Sequence, residues 1–113
     1  MSTDEAVIAD ISVHLAASKN RRYRASIFAL FHALALFLQD NGLTTRHLLG
    51  REEMPPEDFR IVQSDLTPEG LEVMKRALHR WVAGIVASKW PVSDTSVLRK
   101  ALEMGRRTDI VGD

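Results

Sequence analysis

One apolar stretch, residues 25–38, constrains the fold of this chain more than any other feature. Only Ser26 and His32 interrupt a run of Ala, Ile, Leu and Phe side chains. A helix that is apolar almost all round is buried in a protein core or in a membrane. A membrane span needs about 20 apolar residues, and this run has only 14. The sequence therefore predicts a central core helix over about residues 21–41, around which the other helices pack.

The N-terminal half of the chain carries one further helix pattern and one segment without a pattern. Apolar residues recur at helical spacing over residues 3–18, after a capping box of Ser2 and Glu5. Residues 44–50, which follow a helix-ending Gly42, predict a short extra helix. Residues 50–66 contain Pro55 and Pro56, which stop helices and central strands alike. We expect an irregular crossing loop there, because a single extended segment would have no partner strand.

Two more helices are predicted in the C-terminal half. Thr67, Pro68 and Glu69 form a strong helix start, and this helix is expected to end near Ser88. The last helix begins at a cap formed by Ser93 or Asp94 and ends at Gly105, which leaves residues 108–113 as a frayed tail. The predicted fold is all-α, a single domain over residues 1–113 with about four main helices.

Composition excludes several classes of protein. The chain has 113 residues, a length that suits one domain with one hydrophobic core. Its 15 basic and 15 acidic residues balance, so the net charge does not indicate nucleic acid or an anionic membrane as partner. The absence of cysteine excludes disulfides, thiolate catalysis and cysteine-based zinc sites. We expect a soluble cytoplasmic protein that does not contact a membrane.

No spacing of chemistry-bearing residues points to a reaction. The four histidines are never three or four residues apart, and neither a Gly-x-Ser-x-Gly motif nor a glycine-rich phosphate loop is present. An acidic cluster on the proline-containing loop is expected to be solvated rather than catalytic; it consists of Glu52, Glu53, Glu57 and Asp58. The sequence therefore predicts no enzyme, no cofactor and no metal site.

A basic cluster with one aromatic residue, at residues 21–24, is the best candidate for a binding surface. Its three guanidinium groups suit an anion or an acidic partner. His32 and Gln39 lie on the same narrow face of the predicted helix as Arg21 and Arg24. The alternative interpretation is a solvated turn, with His32 satisfied in the core. The predicted partner-binding residues are Arg21, Arg22, Tyr23, Arg24, His32 and Gln39.

Two functional hypotheses follow from these observations. A helical bundle without a catalytic signature most often serves binding. The first hypothesis is a small protein–protein interaction module, such as an adaptor, an inhibitor or an immunity-type binding protein. The second is a nucleic-acid-binding transcriptional regulator that uses the basic cluster. The oligomeric state stays open, and a homodimer is one of the alternatives.

Overall fold

The computed structural model describes residues 7–17, 21–87, 89, 91 and 94–111, without the side chains of residues 17, 22, 23 and 107–111. Most of these residues are helical, and the rest of the regular structure is a two-stranded sheet. The elements in chain order are β1 (Val7–Asp10), α1 (Ile11–Ala17), α2 (Arg21–Asp40), β2 (Arg60–Val62), α3 (Pro68–Val73), α4 (His79–Val86) and α5 (Ser96–Val111).

The end of α2 is set by Gly42, as the sequence predicts. Gly42 has a φ of 69°, a left-handed conformation that is unfavourable for residues with a Cβ atom. The amide of Leu43 donates to the carbonyl of Leu38 at 2.9 Å, and the amide of Gly42 donates to that of Gln39 at 3.1 Å. This pair of hydrogen bonds is a Schellman motif. It reverses the chain and brings Leu43 into the core, where it is fully buried.

The predicted helix over residues 3–18 is wrong in its N-terminal half. Residues Val7–Asp10 form β1, and only Ile11–Ala17 form a helix. β1 pairs in antiparallel fashion with β2, in the register Val7 with Val62 and Asp10 with Arg60. The proposed capping box at Ser2 and Glu5 lies outside the described residues.

The predicted crossing loop over residues 50–66 is confirmed for residues 50–59, which are irregular, and wrong for residues 60–62, which form β2, the partner strand of β1. Residues Arg60–Val62 pair with β1, and a short 3-10 turn, Gln63–Asp65, follows directly. The short extra helix is also absent: none of residues 44–50 is helical, and Thr44 instead forms an isolated β-bridge with Leu66. Both corrections replace local structure by pairing between distant parts of the chain.

The helix start at Thr67 is confirmed. Its hydroxyl oxygen accepts a hydrogen bond from the amide of Gly70 at 3.0 Å, and Pro68 occupies the first helical position. The helix runs through α3, a π-helical segment (Met74–Leu78) and α4 without leaving helical backbone angles. A π-helical turn is wider than an α-helical turn, and the spacing of apolar residues in the sequence does not indicate it.

The last helix, α5, runs antiparallel to this composite helix. Near its start, the indole Nε1 of Trp81 donates to the carbonyl of Asp94 at 2.8 Å. Near its end, the guanidinium of Arg106 pairs with Glu69 at 2.8 Å. The carboxylate of Asp94 accepts from the amide of Ser96, the first residue of α5, at 3.0 Å. The carbonyl of Thr95 accepts the first helical hydrogen bond, from the amide of Arg99 at 2.9 Å, so the N-cap is Thr95, one residue after the predicted Asp94. α5 continues to Val111, beyond the predicted stop at Gly105.

One hydrophobic core joins these elements. Its largest fully buried side chains include Trp81 from α4, Phe31 and Leu34 from α2, and Leu98 from α5. β1 and β2 contribute Ala9 and Ile61, so the small sheet belongs to the same core. No helix among the described residues is long and apolar enough to cross a membrane.

Candidate functional site

Two of the predicted binding residues, His32 and Gln39, bind the backbone of this chain itself. The side-chain amide of Gln39 donates to the carbonyl of Leu49 at 2.7 Å, and its oxygen accepts from the amides of Leu48 and Leu49. The Nε2 atom of His32 lies 2.9 Å from the carbonyl oxygen of Arg51. Because a carbonyl only accepts, Nε2 carries a proton in this contact. These two side chains fasten residues 48–51 to α2.

The basic cluster is divided between a structural and an exposed part. The guanidinium of Arg24 donates to the carbonyl of Leu15 at 3.0 Å and so holds the end of α1 on α2. Arg21 is exposed. The side chains of Arg22 and Tyr23 lie outside the described residues. A binding role for this cluster stays a prediction, and Arg21 is its exposed member among the described side chains.

An apolar groove, which the sequence analysis did not identify, lies between α1, α2 and α4. A cavity of about 140 Å³ is lined by His14 from α1, by Ile27, Leu30 and Phe31 from α2, and by Val82 and Val86 from α4. A second cavity of about 350 Å³ shares four of these residues and continues past Val13 towards Val7. We call the two cavities together the apolar groove.

The walls of the apolar groove carry exposed apolar side chains. Val13 is 64% exposed, Val86 51% and Val7 46%. The floor contains Phe31, whose ring lies 5.7 Å from the ring of His14 at an angle of 58°. Exposed apolar side chains grouped around a cleft are typical of binding surfaces rather than of ordinary protein surface. Val13 lies outside the apolar face of its helix, and Val86 lies at the edge of the face that includes Val82, four residues earlier. Apolar residues at these two positions are the signal that the sequence offers for the groove.

Asp65 is the buried charged side chain of the described structure, and its role is structural. Its carboxylate accepts from the Arg46 guanidinium at 2.6 Å and from the amide of Val62 at 3.0 Å. Burial disfavours the charged carboxylate, but the hydrogen bonds from Arg46 and Val62 outweigh it, so the pKa of Asp65 is lowered. An acid held in its charged form in this way supports the 3-10 turn and not proton transfer.

The remaining acidic and metal-binding chemistry is sparse. The four carboxylates of the acidic cluster are all exposed, as the sequence predicts. Glu53 also accepts a hydrogen bond from the amide of Gly50 at 2.8 Å. Within the described part of the chain, no three His, Asp or Glu side chains are grouped so that they could hold a metal ion.

Comparison with known proteins adds no relative to this picture. The chain matches no family model, no curated protein and no solved structure.

Proposed function

We propose that this protein is a small helical protein–protein interaction module, an adaptor, an inhibitor or an immunity-type binding protein, and that the apolar groove receives its partner. The observation that carries the proposal is the exposure of Val7, Val13 and Val86 around a cleft with Phe31 at its floor. Burying exposed apolar surface is the main source of affinity between proteins. Cavities of this size accept one or a few side chains of a partner, the usual anchor of an interface.

The basic cluster supplies a polar edge to this surface. Arg21 precedes Ser26 and Ile27, which line the groove, by about one and a half helical turns. A carboxylate of the partner that lies beside the groove would meet the exposed Arg21, and guanidinium groups bind carboxylates well. Arg24 acts in this proposal by holding α1, which forms one wall. His32 and Gln39 act by fixing residues 48–51.

We propose further that α2 is the central helix of the fold and that the protein acts in the cytoplasm. In support of the first, α2 forms the groove floor and contributes seven buried residues to the core, namely Ile27, Leu30, Phe31, Leu34, Ala35, Phe37 and Leu38. The absence of cysteine from all 113 residues supports a reducing compartment.

Matched substitutions of exposed apolar residues test the proposal. Val13→Glu with Val86→Glu introduces charge into the groove without removing a buried side chain, and Met54→Glu makes the same kind of change at a 52% exposed site away from it. Tagged proteins would be compared in quantitative pull-downs from lysate of the native cells. We expect a partner that binds to wild type and to Met54→Glu but does not bind to Val13→Glu with Val86→Glu. Retention by all three proteins would refute the apolar groove as the docking surface.

The basic cluster is tested separately. Arg21→Gln should weaken binding of the same partner while leaving stability nearly unchanged, because exposed charges contribute little to folding. Arg24→Gln should lower stability, because it removes the hydrogen bond to Leu15. If the retained partner is nucleic acid, its affinity will fall steeply with salt concentration, and the regulator hypothesis replaces the module.

A further inference from the structure

A second groove, between the composite helix and α5, is basic. Arg76 and Arg80 line one side, and Lys100 lines the other. Its floor is shallow because Ala77 and Ala101 are small, and the cavity measures about 730 Å³. Val97 and Met104 also line this basic groove, and Met104 is 59% exposed.

The groove lies in the positive part of a chain whose charges are segregated. Residues 75–107 contain eight Lys or Arg and two Asp or Glu, a net charge of +6, although the whole chain has a net charge of zero. The rest of the chain is therefore net negative by the same amount. A field of this kind attracts a partner of opposite charge before contact.

The cations of the basic groove are available for a partner, unlike several arginines elsewhere. Arg46, Arg51 and Arg106 pair with carboxylates at 2.6–2.8 Å. Among the described residues, Arg80 and Lys100 form no salt bridge, and the charge of Lys100 contributes only the smallest of the effects that lower the pKa of Asp94. Arg76 reaches Glu72 at 3.9 Å, a long pair on the exposed surface that is worth little.

We propose that the basic groove binds an acidic amphipathic helix of a partner protein. A groove between two antiparallel helices has the shape that accepts a third helix. Carboxylates spaced three or four residues apart on that helix would meet Arg76, Arg80 and Lys100, and its apolar side chains would meet Val97 and Met104. This site is separate from the apolar groove and does not depend on the function proposed for it.

Charge alone would also suit nucleic acid, but the other side chains of the basic groove favour protein. The lining includes neither an aromatic ring that could stack on a base nor an amide side chain that could read a base edge. Trp81, on the same helix as Arg80, is fully buried and cannot stack on a ligand. The exposed methionine instead provides adaptable apolar contact of the kind that helices bind.

A peptide selection tests the proposal without knowledge of the natural partner. A random-peptide library displayed on phage would be selected on the wild-type protein and counter-selected on Arg80→Glu with Lys100→Glu. The matched control is Lys75→Glu with Arg99→Glu, which makes the same change of charge at exposed positions on the same two helices that do not line the groove. Circular dichroism would establish that both double variants fold. If the first does not, Arg80→Gln with Lys100→Gln replaces it.

We expect the selected peptides to be acidic, with apolar residues at helical spacing. Their affinity for the groove variant should fall about tenfold or more, while the control stays within a few-fold of wild type. Selection of peptides without acidic residues, or equal loss in both double variants, would overturn the proposal. Tighter binding of a mixed-sequence DNA duplex than of the selected peptides, at equal ionic strength, would also overturn it and would assign the basic groove to nucleic acid.

Discussion

Asp65 connects three parts of the chain that are distant in sequence. Its side chain binds Arg46 and the amide of Val62, and its backbone carbonyl accepts from the amide of Thr45 at 2.8 Å. The carboxyl is buried, and its pKa lies below the ordinary value of aspartate. Because the charged form is favoured in the folded protein, this carboxylate stabilises the fold above its ordinary pKa of about 4. That stabilisation is lost as the pH falls through the lower pKa of the folded state.

Asp65→Asn is expected to lower the free energy of unfolding by about 1–3 kcal/mol at pH 7. The difference from wild type should shrink below about pH 4, where wild type loses the same contribution by protonation. Urea denaturation of both proteins at pH 7 and at pH 3 measures the difference in their free energies of unfolding. Asp58→Asn, at an exposed carboxylate, serves as the control and should change little at either pH. A loss that is equal at pH 7 and pH 3 would show that the charge of Asp65 is unimportant.

Phe31 is the second residue whose substitution is informative, since it belongs to the core and to the floor of the apolar groove. It is 2% exposed, and its ring lies 6.2 Å from that of Phe59 in an edge-to-face arrangement. Phe31→Ala should lower the free energy of unfolding by about 3–5 kcal/mol. Phe28→Ala, at a half-buried position of the same helix, should cost clearly less. A loss below about 1 kcal/mol for Phe31→Ala would contradict its place in the core, since fully buried aromatic side chains lose more than that.

At the scale of elements, local signals were predictable and distant pairing was not. The caps at Gly42 and Thr67 depend on a few neighbouring residues, so the sequence alone identifies them. Val7, Ile8 and Ile11 fit helical spacing, and only pairing with residues 60–62 makes the first two extended. The periodicity of apolar residues contains no information about a strand 50 or more residues away. The same limit explains why residues 60–62 were predicted as loop, since their partner strand, β1, was predicted as helix.

The contact between α3 and the segment just after α2 depends on Gly70, which packs against the backbone of Leu43. A Cβ atom added at Gly70 would collide with the carbonyl oxygen of Leu43, which also accepts from the amide of Thr67 at 2.9 Å. Gly70→Ala should therefore destabilise the protein, although alanine is the better helix former. Gly105→Ala is the matched control in α5, where nothing lies within 4 Å of the added atom. It should stabilise by up to about 1 kcal/mol. Thermal denaturation of both variants checks the sign, and equal stabilisation by both would contradict the close packing at Gly70.

The attachment of residues 48–51 to α2 gives a prediction about local opening. Gln39→Ala removes one donor and one acceptor that serve Leu48 and Leu49, so the amides of these two residues should exchange hydrogen faster. The free energy of unfolding should fall by about 1–3 kcal/mol. Gln63→Ala, at an exposed glutamine, should leave the same amides unchanged. Unaltered exchange at Leu48 and Leu49 in Gln39→Ala would mean that other contacts hold this segment. The sequence places His32 and Gln39 on one line of α2, but it does not identify the backbone that they bind.

At the scale of the whole molecule, the apolar groove results from the fold, whereas the charge of the basic groove belongs to one segment, residues 75–107. The apolar groove combines Val13 with Val86, which are far apart in sequence and lie on the walls of one cleft. The basic groove is hidden by a net charge of zero, because the compensating acids lie elsewhere in the chain. Counting charge per segment would have indicated it from sequence. The apolar groove could not be predicted from sequence, because its walls come from α1 and α4, which precede and follow β2 in the chain.

The shared core predicts that the chain unfolds as one unit. Core residues come from every strand and helix, and the radius of gyration is 14.3 Å, near the value of about 13 Å for a domain of this length. Single domains of this size usually unfold in one cooperative transition. Trp81 is fully buried on α4, so its fluorescence reports the C-terminal helices, while far-ultraviolet circular dichroism reports all helices.

We expect the two signals to follow the same urea transition. Trp90→Phe provides the background in which Trp81 is the sole tryptophan, since the chain has two. In that protein the midpoints from fluorescence and circular dichroism should coincide, and the spectrum before unfolding should be dominated by helix. Separate midpoints would mean that α3, α4 and α5 form a unit that melts independently of α2 and the sheet. The chain would then contain two cooperative units, and the effects of Phe31→Ala and Gly70→Ala would have to be assigned to different transitions.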